Sequence, residues 1–95
     1  MNLADWALVA KYVSTRKAKI GRPLGMAVKF YRTQRKLTRT ELSTRCRMSV
    51  RAILALERGQ VEDISIPRFA LLAQCLGVDP IEFMGKIRES VNKDE

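Results

Sequence analysis

The tightest constraint on this chain is a pair of helix starts placed eleven residues apart. Thr38 is followed three residues on by Glu41, the reciprocal arrangement in which a hydroxyl takes an N3 amide while the N3 carboxylate returns to the cap's own amide. Leu37 before it and Leu42 after it form the matching hydrophobic staple, so a helix begins at Arg39. Ser49 is the next N-cap, with Met48 and Ile53 as its staple, and Gly59 sits where a left-handed C-cap residue belongs. The spacing predicts two short helices, about 39–46 and 50–58, joined by a tight turn. Leu42, Cys46, Met48, Ile53 and Leu56 are apolar where two crossed helices bury a shared seam, and Ser43 is small where their backbones approach.

Helical periodicity continues on both sides. Leu24, Val28 and Tyr31 define a helix from about Pro23 to Lys36, with Arg32, Arg35 and Lys36 late in it, where cations suit the macrodipole. Pro67, Phe69, Leu72, Ala73 and Leu76 mark another, closed by Gly77. Asp79-Pro80-Ile81-Glu82 reads as a second capping box with proline at the first helical position, opening a helix that carries Ile81, Met84, Ile87 and Val91 on one stripe. No β signal competes, so the class is all-α, with five helices in a domain over residues 21–95. Residues 1–20 form a separate unit. There Leu3, Trp6, Ala7, Ala10 and Val13 predict an extra amphipathic helix over about Asn2–Ser14, which packs on the globule, serves a dimer or partner surface, or lies on a membrane surface, the weakest of the three. Ser14 to Arg22 is basic and punctuated by Gly21 and Pro23, a linker or a loop held by an anion.

Charge narrows the partner. The chain has 18 Lys and Arg against 10 Asp and Glu with no histidine, and its 95 residues suffice for one compact core only. Residues 1–60 hold 14 basic and 3 acidic side chains, residues 61–95 hold 4 and 7, so the anion-binding end is the first. Nucleic acid fits this imbalance better than a neutral substrate. Cys46 and Cys75 read as reduced core residues, and without histidine they cannot complete a four-ligand zinc site, so neither metal nor cofactor is expected. The absence of histidine, of a convergent carboxylate pair and of a glycine-rich phosphate loop argues against an enzyme. With no export signal and no long apolar run, the expected setting is cytoplasmic, away from any membrane.

The stretch from Leu37 to Gly59, followed by Leu72-Ala-Gln-Cys-Leu-Gly-Val78, resembles the phage-repressor and Cro-like (xenobiotic-response-element class) helix-turn-helix DNA-binding family. The resemblance covers roughly residues 22–84, with the motif at 38–59, and leaves the first 20 residues unexplained. It implies a lambda-repressor-like fold. It also implies that Thr38, Arg39 and Ser49 touch the DNA backbone, that Val50, Arg51 and Ala55 face the bases, and that Arg32 and Glu57 form a partly buried ion pair between the first and third helices of the core domain. By chemistry, Arg39, Arg47 and Arg51 lie around helix N-termini, which suits an anion clamp. Arg51 can fork onto guanine O6 and N7, worth ~1–3 kcal/mol of discrimination, or it contacts phosphate only. Val50 either presses on a thymine methyl or is merely an exposed apolar residue.

The sequence departs from the family pattern at two places. The turn glycine is replaced by Arg47, and a non-glycine residue at positive φ costs on the order of 1 kcal/mol, so either the turn differs or phosphate contact offsets the strain. Val50, Ala52, Leu54 and Ala55 leave few polar base-readers, which throws specificity onto Arg51, DNA shape and an arm of Arg16, Lys17, Lys19 and Arg22. That arm follows the DNA or is a solvated linker. The expected function is a sequence-specific transcriptional regulator on double-stranded DNA, a homodimer through its last helix on a two-fold symmetric operator. Repressor ranks above activator, because only Glu41 offers an acidic polymerase-facing group near the second helix of the motif. The alternative is a protein-interaction module, antitoxin-like or regulator-binding, that holds its partner through Val50 and Leu54.

Overall fold

The computed structural model describes residues 21–93, with side chains through Glu89, and two positions before them, Leu3 and Ala7. Its helices are α1 (Gly21–Gln34), α2 (Arg39–Cys46), α3 (Val50–Glu57), α4 (Ile66–Leu76) and α5 (Pro80–Lys93), with no strand among the described residues. The capping box at α2 is complete: Glu41 N–H donates to Thr38 Oγ1 at 3.0 Å and Thr38 N–H donates to Glu41 Oε1 at 3.0 Å. Ser49 Oγ accepts from the Ala52 amide at 3.0 Å to open α3. Ser65, which the Pro67-centred pattern leaves unmarked, opens α4 by accepting from the Arg68 amide at 3.3 Å.

The bond from Thr38 holds the Glu41 carboxyl below its ordinary 4.5. A lowered folded-state value means the cap is intact at neutral pH and is lost as pH falls through that value. Thermal stability followed by circular dichroism should therefore decline below about pH 4, and Glu41→Gln should flatten part of that decline. An unchanged acid limb in the variant would show that the box contributes nothing.

Three boundaries and one cap differ from the sequence expectation. α1 begins at Gly21, so Gly21 and Arg22 are helical rather than linker; Gly21 is buried, and a Cβ there would lie 2.7 Å from the Gly59 carbonyl oxygen. Tertiary packing on the Gly59–Val61 backbone after α3 recruits a residue that local propensity marks as a break. α1 ends at Gln34, because Lys36 turns left-handed (φ 57°) and Leu37 N–H closes onto Arg32 O at 3.0 Å. α3 ends at Glu57 with Arg58 as its cap. At α5, Asp79 Oδ1 accepts from the Ile81 amide at 2.8 Å, one position earlier than in a capping box, and Glu82 faces the Tyr31 hydroxyl. That carboxylate reinforces the burial that raises the Tyr31 pKa.

All five helices contribute to one core. Leu24 and Val28 of α1, Leu42 and Cys46 of α2, Ile53 and Leu56 of α3, Phe69, Leu72 and Leu76 of α4, and Phe83 and Ile87 of α5 are shut off from solvent. Phe69 and Phe83 stack with ring centroids 4.9 Å apart, and Tyr31 meets Phe83 edge-on. Met48 packs half-buried against this cluster. Of the last helix's stripe, Met84 and Ile87 are buried and Ile81 is half-buried against the core, so these three close the globule. The side chain of Val91 lies outside the described residues.

Leu3 is 86% exposed and Ala7 is exposed, so neither packs on the globule within one chain. The remaining positions of the expected N-terminal helix, Trp6, Ala10 and Val13, and the arm residues Arg16, Lys17 and Lys19 lie outside the described residues.

Cys46 and Cys75 are free and buried. Burial, with the Cys75 thiol beside it, pushes the Cys46 thiol up to about 12. A thiol that stays protonated is a poor nucleophile. In the native protein at about pH 8, Cys46 should resist a disulfide-exchange reagent and react fully only after denaturation; rapid native labelling of Cys46 would contradict this burial.

Candidate nucleic-acid interface

α2 and α3 meet at a turn whose geometry the sequence left open. Arg47 has φ 55° and ψ 37°, the left-handed conformation that usually calls for glycine, and its amide returns to Ser43 O. Met48 N–H reaches the same oxygen at 3.2 Å. The turn is thus retained with arginine in place of glycine, at a cost on the order of 1 kcal/mol, and the Arg47 side chain is exposed.

On α3, Ile53 and Leu56 point into the core, and the opposite face of the first turn presents Val50, 40% exposed, and Arg51, exposed. Ala55, one turn after Arg51, is half-buried on the same side. Leu54 is also half-buried, so Val50 is the one large apolar side chain exposed on this helix. Thr38 and Ser49 are exposed at the N-termini of α2 and α3, with Arg39 half-buried beside Thr38. Arg22 is exposed in the first turn of α1, a helical position and not part of a free arm.

Behind these residues lies a charge cluster spanning three helices. Arg32 of α1 donates Nε to Glu57 Oε2 at 2.5 Å and a terminal N–H to Oε1 at 3.1 Å, and its other amino group donates to Leu37 O at 2.9 Å. The Glu57 side chain is 2% exposed and that of Arg32 10%. A second arginine shares the carboxylate: Arg39 Nε donates to Glu57 Oε1 at 3.0 Å, with its own side chain 39% exposed. The Arg39–Glu57 bond escapes sequence reading, since eighteen residues separate the partners and no local periodicity relates them.

The helix-turn-helix family model matches residues 28–83 of this chain. The chain belongs to the helix-turn-helix family. Family membership makes it a DNA-binding protein of the transcription-regulator kind, and the matched residues include α2, the Arg47 turn and α3. Among solved structures, this helix-turn-helix domain is similar to the clp gene regulator ClgR from C. glutamicum, with 24% sequence identity and a TM-score of 0.70 over 78% of this chain and 95% of that one. At that identity the likeness establishes a shared fold. No curated protein sequence matches the chain. Among the described residues, no helix is long and apolar enough to cross a membrane, and no group of acidic or cysteine side chains is placed to hold a metal ion.

Proposed function

We propose that this helix-turn-helix protein is a sequence-specific transcriptional repressor that lays α3 in the DNA major groove as one half of a homodimer on a two-fold symmetric operator, in the cytoplasm. The observation that carries the reading is the outward face of α3, where Val50 and Arg51 stand exposed over a buried Ile53–Leu56 seam. The major groove admits a helix of this width, and an arginine in the first turn of a recognition helix has the fork that matches guanine O6 and N7. Thr38, Arg39, Arg47 and Ser49 would hold the phosphates on either side, fixing register without reading sequence. Val50 and Ala55 would supply apolar contact to thymine methyls. Occlusion of a promoter needs only binding, which is why repression is the favoured direction of control. The similar fold of a clp gene regulator agrees with this reading.

The test is selection of bound sequences from a random duplex pool at near-physiological salt. A two-fold symmetric site with half-sites about one helical turn apart is expected. Arg51→Ala should then relax preference at one base pair by ~1–3 kcal/mol while leaving the salt dependence nearly unchanged. Binding that is salt-sensitive but sequence-independent, in parent and variant alike, would overturn the operator-specific reading. It would also turn attention to a protein that covers Val50, since the half-buried Leu54 offers such a partner little surface.

A further inference from the structure

We propose that Glu57 is a positioning residue for DNA binding, its buried carboxylate aiming the Arg39 guanidinium at a backbone phosphate; the inference rests on the DNA-binding reading above. The carboxylate does not need Arg39 for its own satisfaction. Arg32 already meets both of its oxygens, at 2.5 and 3.1 Å, from a side chain only 10% exposed. The two arginines and one carboxylate leave a surplus positive charge. That charge stands on Arg39, whose side chain is the one at the surface.

The mode of attachment sets the direction. Arg39 is held through Nε alone, and its terminal amino groups have no partner among the described residues. A guanidinium is rigid and planar, so fixing Nε against a buried oxygen sends the outer N–H fork away from the carboxylate, in the geometry that takes a phosphate bidentately. Arg39 is also the first residue of α2, where Thr38 and Glu41 take each other's amides and those of Arg39 and Thr40 have no intrahelical acceptor. The fork and those amides therefore serve one end of one helix. Arginine loses substantial rotamer freedom when it binds; here Glu57 has removed part of that freedom beforehand, which preorganises the contact.

The experiment is a double-mutant cycle on affinity for a random-sequence DNA duplex, since a phosphate contact does not depend on sequence. Each protein is measured below its own unfolding temperature. Arg39→Ala should weaken binding about tenfold, the loss of one charge-assisted contact. Glu57→Gln, which keeps shape and one acceptor, should lose nearly as much, and the double variant should be little worse than either single. Arg47→Ala, in the turn, should instead multiply with Glu57→Gln. Independent, multiplying losses for Arg39→Ala and Glu57→Gln would overturn the proposal. So would equal coupling of Glu57→Gln to Arg39 and to Arg47, the mark of general loosening.

A second measurement needs no variant and covers the case in which Glu57→Gln fails to fold. Nitrogen NMR of the parent should show the Arg39 Nε–H shielded from exchange in the free protein and still shielded with duplex added; collapse to a solvated signal on adding DNA would overturn the proposal. Failure of the parent to bind duplex in a salt-sensitive way is a different result, because it removes the DNA-binding reading itself.

Discussion

Gly25→Ala should cost the domain ~3 kcal/mol or more, enough to lower Tm by about 15 °C in a domain of this size. A Cβ at that position would sit 2.1 Å from the Leu56 carbonyl oxygen and 3.0 Å from that of Glu57. Both are backbone atoms of α3, so no side chain can swing aside, and relief requires α1 and α3 to separate. Separation would open the seam where Leu24 and Val28 meet Ile53 and Leu56, all fully or almost fully buried. Gly85→Ala is the matched control. A Cβ there meets nothing within 4 Å, and replacing glycine inside a helix should stabilise α5 by ~0.5–1 kcal/mol. Thermal melts of the two variants should therefore move in opposite directions. A Gly25→Ala protein melting within a few degrees of the parent would mean that α1 and α3 do not cross as closely as described.

Glu57→Ala should destabilise the fold by ~3–5 kcal/mol, the usual cost of stripping one partner from a buried ion pair. Arg32 is 8% exposed as a residue, and without the carboxylate its remaining partner is the carbonyl of Leu37. Arg39→Ala, by contrast, should cost under ~1 kcal/mol, since that side chain is 39% exposed and Arg32 still satisfies Glu57. Urea denaturation with a shared slope gives both values directly. If Glu57→Ala stayed within ~1 kcal/mol of the parent, the Arg32–Glu57 pair would be no more than a surface contact. The pair of numbers also bears on function, because a residue that matters little for stability and much for DNA affinity is one held in place for binding.

The motif region is where sequence and structure agree most closely. The Thr38–Glu41 box, the Ser49 cap, the left-handed Gly59 and the Leu42–Cys46–Ile53–Leu56 seam all stand as the residue pattern predicts. Arg32 and Glu57, paired by family resemblance alone, are joined in the structure. Apart from the local caps at Ser65 and Asp79, the departures have one kind of cause. Gly21 is a helix breaker by propensity and yet helical, because the Gly59–Val61 backbone that follows α3 lies against it. Lys36 and Arg47 adopt the left-handed conformation without being glycine, since each closes a helix whose neighbours along the chain are fastened by core residues Tyr31, Leu37, Cys46 and Met48. Ile81, Met84 and Ile87, on the helix expected to carry the homodimer contact, are taken by the core instead.

What the sequence determined by itself rests on signals that span about one helical turn: which segments are helices, where α2 and α3 start, and that the basic end of the molecule carries them. Those signals are local because a cap and its amide, or two residues on one helix face, lie within four positions of each other. What only the tertiary structure decided is the close crossing at Gly25, the arginine-for-glycine turn at Arg47, and the meeting of Arg39 with the carboxylate that Arg32 already holds. Each depends on where one helix lies against another, and that placement is settled by packing the whole core at once rather than by any stretch of residues read alone.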